Sequence, residues 1–122
     1  MIEKRRWPRV NCQWEAVYRS IVRTGQGLNA STTVDVSQGG VRFRSGTFIP
    51  VGERLRFTLR PPKGLINEAV LTPVWVRELP NFSMFEVGGH FEDMAQDAQN
   101  ALKEWTDTNQ AVLVTRVPEA VF

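Results

Sequence analysis

The run RLRFTLR, Arg54 to Arg60, alternates without a slip. Leu55, Phe57 and Leu59 fall on one side; Arg54, Arg56, Thr58 and Arg60 fall on the other. A period of two fits a β-strand with one buried face, because successive side chains point to opposite faces of a sheet. The pattern recurs in short pieces. VRFRS (Val41 to Ser45) alternates strictly, and MFEVGGHF (Met84 to Phe91) places Phe85, Val87, Gly89 and Phe91 together. WEAVYRSIV (Trp14 to Val22) and STTVDVS (Ser31 to Ser37) are rich in aromatic and β-branched residues. NEAVLTPVWVRE (Asn67 to Glu78) reads as a long strand in which Pro73 marks an edge or a bulge. RTGQG, the pair Gly39-Gly40 and PPKG punctuate these runs. Short strands separated by turn signals predict an antiparallel barrel or sandwich.

The period then changes. In DMAQDAQNALKEWTD (Asp93 to Asp107), Ala95, Ala98, Leu102 and Trp105 follow one another at helical steps, which predicts one amphipathic helix covering an open end or face of the barrel. The tail from Gln110 to Phe122 reads as a further strand, a dimer contact or a loose end. At 122 residues with 42% hydrophobic content, the chain has enough apolar surface for one core.

The rest of the composition argues mainly by exclusion. A formal charge of +2 is too small to demand nucleic acid by itself. The single cysteine, Cys12, rules out an internal disulfide framework and reads as a small buried residue in a reducing cytoplasm. No stretch approaches the apolar length of a membrane span, and the basic N-terminus lacks the apolar run of a signal peptide. His90 is the single histidine, and no Cys–His, Ser–His, metal-ligand or phosphate-loop spacing accompanies it. The expectation is a cytoplasmic, non-catalytic domain with neither metal nor cofactor.

Two stretches remain that this barrel scheme does not explain. EKRRWPRV crowds Lys4, Arg5, Arg6 and Arg9 ahead of the first strand. Pro8 disfavours helix at Trp7, so the segment reads as extended or turned. DVSQGG closes the second strand: Asp35 and Ser37 share one face, Val36 points to the other, and Gly39-Gly40 permits positive φ and close backbone approach.

Together these stretches resemble the PilZ family, whose signature is R-x-x-x-R followed by [D/N]-x-S-x-x-G on a small β-barrel. Arg5 and Arg9 match the first half; Asp35, Ser37 and Gly40 match the second without substitution. VGERLRFTLRPP looks like the family's middle strand, VGGHF like the strand that closes the barrel, and Asp93 to Asp107 like its terminal helix. The resemblance spans about Glu3 to Asp107. It implies a mainly β fold, a six-stranded, Greek-key-like antiparallel barrel with a C-terminal helix. The corresponding division is a mobile basic arm over residues 1–11, a barrel and helix over 12–107, and a tail over 108–122.

The resemblance also implies a ligand, the bacterial second messenger cyclic di-GMP, and a role as its receptor in signal transduction. The chemistry fits. Guanidinium forks suit phosphodiesters and the O6/N7 edge of guanine. A carboxylate such as Asp35 accepts from guanine's N–H edge, Ser37 adds a shorter-range hydrogen bond, and Gly40 leaves room. The expected ligand residues are Arg5, Arg6, Arg9, Asp35, Ser37, Gly40 and Trp75. Trp75 resembles a position where some members place an aromatic against the base; a barrel-wall tryptophan is the other reading. Arg77 shares that face, and Arg42 and Arg44 read as an exposed face. Family resemblance further implies that the arm reorders on binding and signals to a protein of motility, adhesion or secretion machinery. Two other functions stay open at this point: a nucleic-acid-binding barrel using the arm, Arg54, Arg56 and Arg60, and an adaptor of the same fold acting by protein contacts alone.

Overall fold

The computed structural model describes residues 9–22, 27–61, 66–80 and 83–108. Seven strands and a helix follow in order: β1 (Val10–Asn11), β2 (Glu15–Ser20), β3 (Asn29–Val36), β4 (Gly40–Ser45), β5 (Leu55–Arg60), β6 (Ile66–Leu79), β7 (Met84–Asp93) and α1 (Gln96–Thr108). All pairings are antiparallel. The ring β3-β2-β5-β6-β7-β4 closes through a further β3–β4 pairing, giving a six-stranded barrel. Closure leaves no long sheet edge exposed.

β1 extends the same side of β3 that β2 occupies. β2 pairs with the first half of β3, and β1 pairs with the second half through Val10↔Val36 and Asn11↔Asp35. Between them the chain breaks step at residues 12–14, and the Thr33 hydroxyl fills the gap. It donates to Cys12 O at 2.7 Å and accepts from Trp14 N at 2.8 Å.

The alternation read in the sequence decides the core. Ala16, Tyr18, Val36, Val41, Phe43, Leu55, Phe57, Leu59, Leu71 and Val87 all point inward. Phe43 lies between Tyr18 and Phe57, with ring centroids 5.5 Å and 4.9 Å away. The Tyr18 hydroxyl meets Ser45 Oγ at 2.6 Å, which satisfies a polar group that burial would otherwise penalise. Pro73 sits at a register shift between Pro73 and Trp75, so its missing N–H falls where the ladder is already interrupted.

The helix begins three residues later than the period change predicts, because β7 stays paired with β6 as far as Val70↔Asp93. Leu102 is fully buried, Trp105 meets Trp14 edge-on at 4.3 Å, and Ala98 packs alongside; Ala95 is exposed. Thr106 is buried too, its hydroxyl donating to the Leu102 carbonyl one turn back. Truncating Leu102 to Ala should therefore lower the unfolding free energy by about 2–5 kcal/mol. The check is a urea titration; an unchanged midpoint would mean the helix does not dock on the barrel.

Candidate ligand-binding face

The β3–β4 turn is built by Ser37. Its amide donates to Gly40 O at 2.9 Å, and its Oγ accepts from Gly39 N at 3.1 Å and Gly40 N at 3.2 Å. A hydroxyl used in this way sets the loop as well as any ligand contact it makes. Neither Gly39 nor Gly40 uses the positive φ that glycine permits; among the described residues Gly52 does, at φ 89°. Gly40 is buried directly opposite His90.

Pairing sets the neighbouring positions. Val36 is in the core, so Asp35 lies on the outer surface of the barrel. β1 brings the end of the basic arm to the same place: Asn11 pairs with Asp35, Val10 is buried, and Arg9 precedes them on the outward side. The positive charge of Arg9 acts on the Asp35 carboxyl. Thus Arg9, from one half of the sequence signature, and Asp35, Ser37 and Gly40, from the other, occupy one end of one face. Arg5 and Arg6 lie outside the described residues.

Continuing across the sheet, Asp35 is opposite Arg42, Arg42 opposite Gly88, and Gly88 opposite Trp75. The indole of Trp75 lies against Gly88. A Cβ at that position would come within 2.6 Å of Trp75 Cζ2 and closer still to the pyrrole edge. Glycine is therefore needed to let the ring lie over this position.

Arg42 corrects the sequence reading of an exposed cation. It is only 20% exposed, and its Nη2 donates to Asp35 Oδ2 at 2.6 Å. Its Nη1 lies 3.8 Å from Glu86 Oε1, the oxygen that Arg77 Nη2 binds at 2.6 Å. Asp35, Arg42, Glu86 and Arg77 thus form a chain of alternating charge over β3, β4, β7 and β6. Glu86, Gly88 and Arg42 were not singled out as site residues from the sequence. The hairpin DVSQGGVR held the signal for Arg42, because a pairing of Val36 with Val41 sets Asp35 opposite Arg42.

Electrostatics separates reactive from inert groups. Burial pushes the Cys12 thiol up to about 12, and the nearby Asp35 carboxylate adds to the rise, so the thiol stays protonated at neutral pH. Burial also raises the Asp35 carboxyl above its ordinary value, while Arg42 and then Arg9 pull it back. On the far side of the turn, a groove of about 440 Å³ runs between Gln38, His90, Glu92, Asp93 and Gln99. Two carboxylates, Glu92 and Asp93, line it. Among the described residues, no group of three or more His, Cys, Asp or Glu side chains is placed to hold a metal, and no helix is long and apolar enough to cross a membrane.

The PilZ domain sequence profile matches residues 3–107. The chain belongs to the PilZ family. Solved structures agree on the fold. The PilZ barrel is similar to MotI/DgrA, the inhibitor of motility of Bacillus subtilis, at 18% identity and TM-score 0.77, covering 93% of this chain and 55% of that one. It is similar to the PilZ domain of Escherichia coli YcgR, determined with c-di-GMP, at 13% identity and TM-score 0.65, covering 92% and 100%. K. pneumonia MrkH, also determined with c-di-GMP, is 19% identical with TM-score 0.71, over 92% and 54%. This chain therefore spans about half the length of MotI and MrkH and the whole of the YcgR domain. No curated protein matches it.

The Gly88–Trp75 contact is testable within this PilZ fold. Gly88→Ala should displace the indole and change tryptophan emission, and the change should vanish in a Trp75→Phe background. Emission unaltered by the alanine would mean that the ring does not rest on Gly88.

Proposed function

We propose that this PilZ domain is a non-catalytic receptor for cyclic di-GMP. One observation carries the reading: pairing of β1 with β3 brings Arg9, the end of the basic arm, beside Asp35 at the Ser37–Gly40 turn. Asp35 Oδ1 is buried and has no hydrogen-bond partner among the described residues. An acceptor of that kind suits the N–H edge of a guanine. The c-di-GMP complexes of YcgR and MrkH, which share the fold, support the same ligand.

In this reading Asp35 receives the guanine N1–H and N2–H groups, and Ser37 both shapes the turn and adds a hydrogen bond. Gly40 gives the base room. Arg5 and Arg9, with Arg6 between them, take the phosphodiesters and the O6/N7 edge as bidentate donors. Trp75 supplies a flat apolar surface across Gly88, and the exposed end of Arg77 lies within the same strip. The basic arm ahead of β1 closes over the ligand, and the reordered arm offers a new surface to a downstream protein. Hydrogen bonds to charged groups contribute about 1.5–3 kcal/mol each, so several of them support micromolar or tighter binding after the ordering cost. The nucleic-acid reading is weaker, because Arg54 and Arg60 are each paired with a carboxylate, Glu92 and Glu15 respectively, and Asp35 and Glu86 would meet a phosphate backbone on the candidate face.

Calorimetric titration of cyclic di-GMP, with GTP as the control ligand, tests the reading. Saturable heat for cyclic di-GMP alone, abolished in Arg5→Ala/Arg9→Ala and in Asp35→Ala, is the expected result. Absence of heat from the parent protein at tens of micromolar, a concentration at which the hydrogen bonds counted above would give saturation, would refute it.

A further inference from the structure

Asp35 reaches the site with its two oxygens already divided between different tasks. Oδ2 accepts from Arg42 Nη2 at 2.6 Å, whereas buried Oδ1 has no hydrogen-bond partner among the described residues. Arg42 is held in turn. Its other terminal nitrogen lies 3.8 Å from Glu86 Oε1, and that oxygen is fixed by a 2.6 Å hydrogen bond from Arg77. One guanidinium is thus gripped by a carboxylate from β3 and another from β7, both nearly inaccessible to solvent. A carboxylate free to turn about its Cβ–Cγ bond offers either oxygen in many directions. One whose Oδ2 is bound by a planar fork offers Oδ1 in a single direction.

We propose that Arg42 is a positioning residue for ligand recognition: by engaging Oδ2 it aims the ionised Oδ1 of Asp35 at the paired N–H donors of a guanine base, and Glu86 keeps Arg42 in place. Arg42 acts through Asp35 and touches no ligand atom in this scheme. The identity of the ligand rests on the receptor reading above, whereas the hold of Arg42 on Asp35 is a property of the free protein.

The groups that face Asp35 are Arg42 of β4, Arg9 ahead of β1, Glu86 of β7 and the Cys12 thiol after β1. Burial raises the carboxyl most, Arg42 lowers it, Arg9 lowers it less, and Glu86 raises it slightly. Donors on the base need an acceptor, so affinity is lost as pH falls through the Asp35 titration. Removing the Arg42 guanidinium shifts that titration upward, and the loss of affinity then begins nearer neutrality.

Two readouts on the same proteins test this: the Asp35 carboxyl ¹³C shift followed by NMR in the free protein from neutral pH down to about pH 4, near the ordinary Asp value above which the Asp35 titration is raised, and cyclic di-GMP calorimetry over the same pH range. Arg42→Gln should raise the Asp35 midpoint and weaken binding at neutral pH by about tenfold or more, the equivalent of one charge-assisted hydrogen bond between Asp35 and the base lost when Oδ1 is no longer aimed. Arg42→Lys should keep the midpoint near that of the parent while losing part of the affinity, since an ammonium cannot reproduce the fork. The lysine variant carries the test if the glutamine variant fails to fold. A folded Arg42→Gln protein whose carboxyl titration and affinity–pH curve both match the parent overturns the proposal. A parent protein that binds no cyclic di-GMP removes the receptor reading and the ligand half of this one, and the carboxyl titration still decides whether Arg42 holds Asp35.

Discussion

The Thr33 hydroxyl bridges the break between β1 and β2, donating to Cys12 O and accepting from Trp14 N. Without that bridge, the two backbone groups would be left unpaired against a buried strand. With it, β1 stays on the edge of β3, where Val10 faces Val36 and Asn11 faces Asp35. The order of the site follows from this constraint. β3 is bonded to β1 and β2 on one edge and to β4 on the other, so the end of an N-terminal arm and a turn some thirty residues later meet on one outer face.

That face concentrates charge in an unusual way. Asp35 and Glu86 sit on the outside of the barrel, yet both are nearly inaccessible, covered by their arginine partners and by neighbouring strands. Burying a carboxylate carries a large desolvation cost, which a close guanidinium offsets only when the geometry is good and the remaining lone pairs are satisfied. The 2.6 Å contacts to Arg42 and Arg77 meet the first condition. At Asp35 the second is unmet, because Oδ1 is left over. A group kept in that state lowers stability, and a ligand that supplies donors to it relieves the penalty on binding. Gly88 is constrained by space: a side chain there would meet the Trp75 indole.

Much of this was legible in the sequence. Period-two runs, aromatic and β-branched stretches and the turn signals between them located six strands to within a few residues, and Pro73 was correctly read as a sheet irregularity. The R-x-x-x-R and D-x-S-x-x-G spacings identified the family without any three-dimensional information. What escaped depended on register and on side-chain partners. Arg42 alternates with core residues, which reads as an exposed cation until β3–β4 pairing, with its irregularity between Thr33 and Asp35, sets it against Asp35. Glu86 lies on the polar side of its strand, and its burial comes from two arginines on neighbouring strands that no local pattern links to it. The late start of α1 has a similar cause, since pairing with β6 holds the chain extended to Asp93 after the local pattern has already turned helical.

The central claim is that ligand recognition takes place on the outer face shared by β1, β3, β4 and β7, and not at the opposite groove bounded by Leu28 and Phe48, two of the exposed large apolar side chains. Amide and indole NMR shifts followed during addition of cyclic di-GMP test it most directly. The account predicts saturating changes at Asp35, Ser37, Gly39, Gly40, Gly88 and the Trp75 indole N–H, with Leu28, Asn29 and Phe48 unmoved. Changes centred on Leu28 and Phe48, or saturation without any change at Asp35 and Gly40, would contradict it.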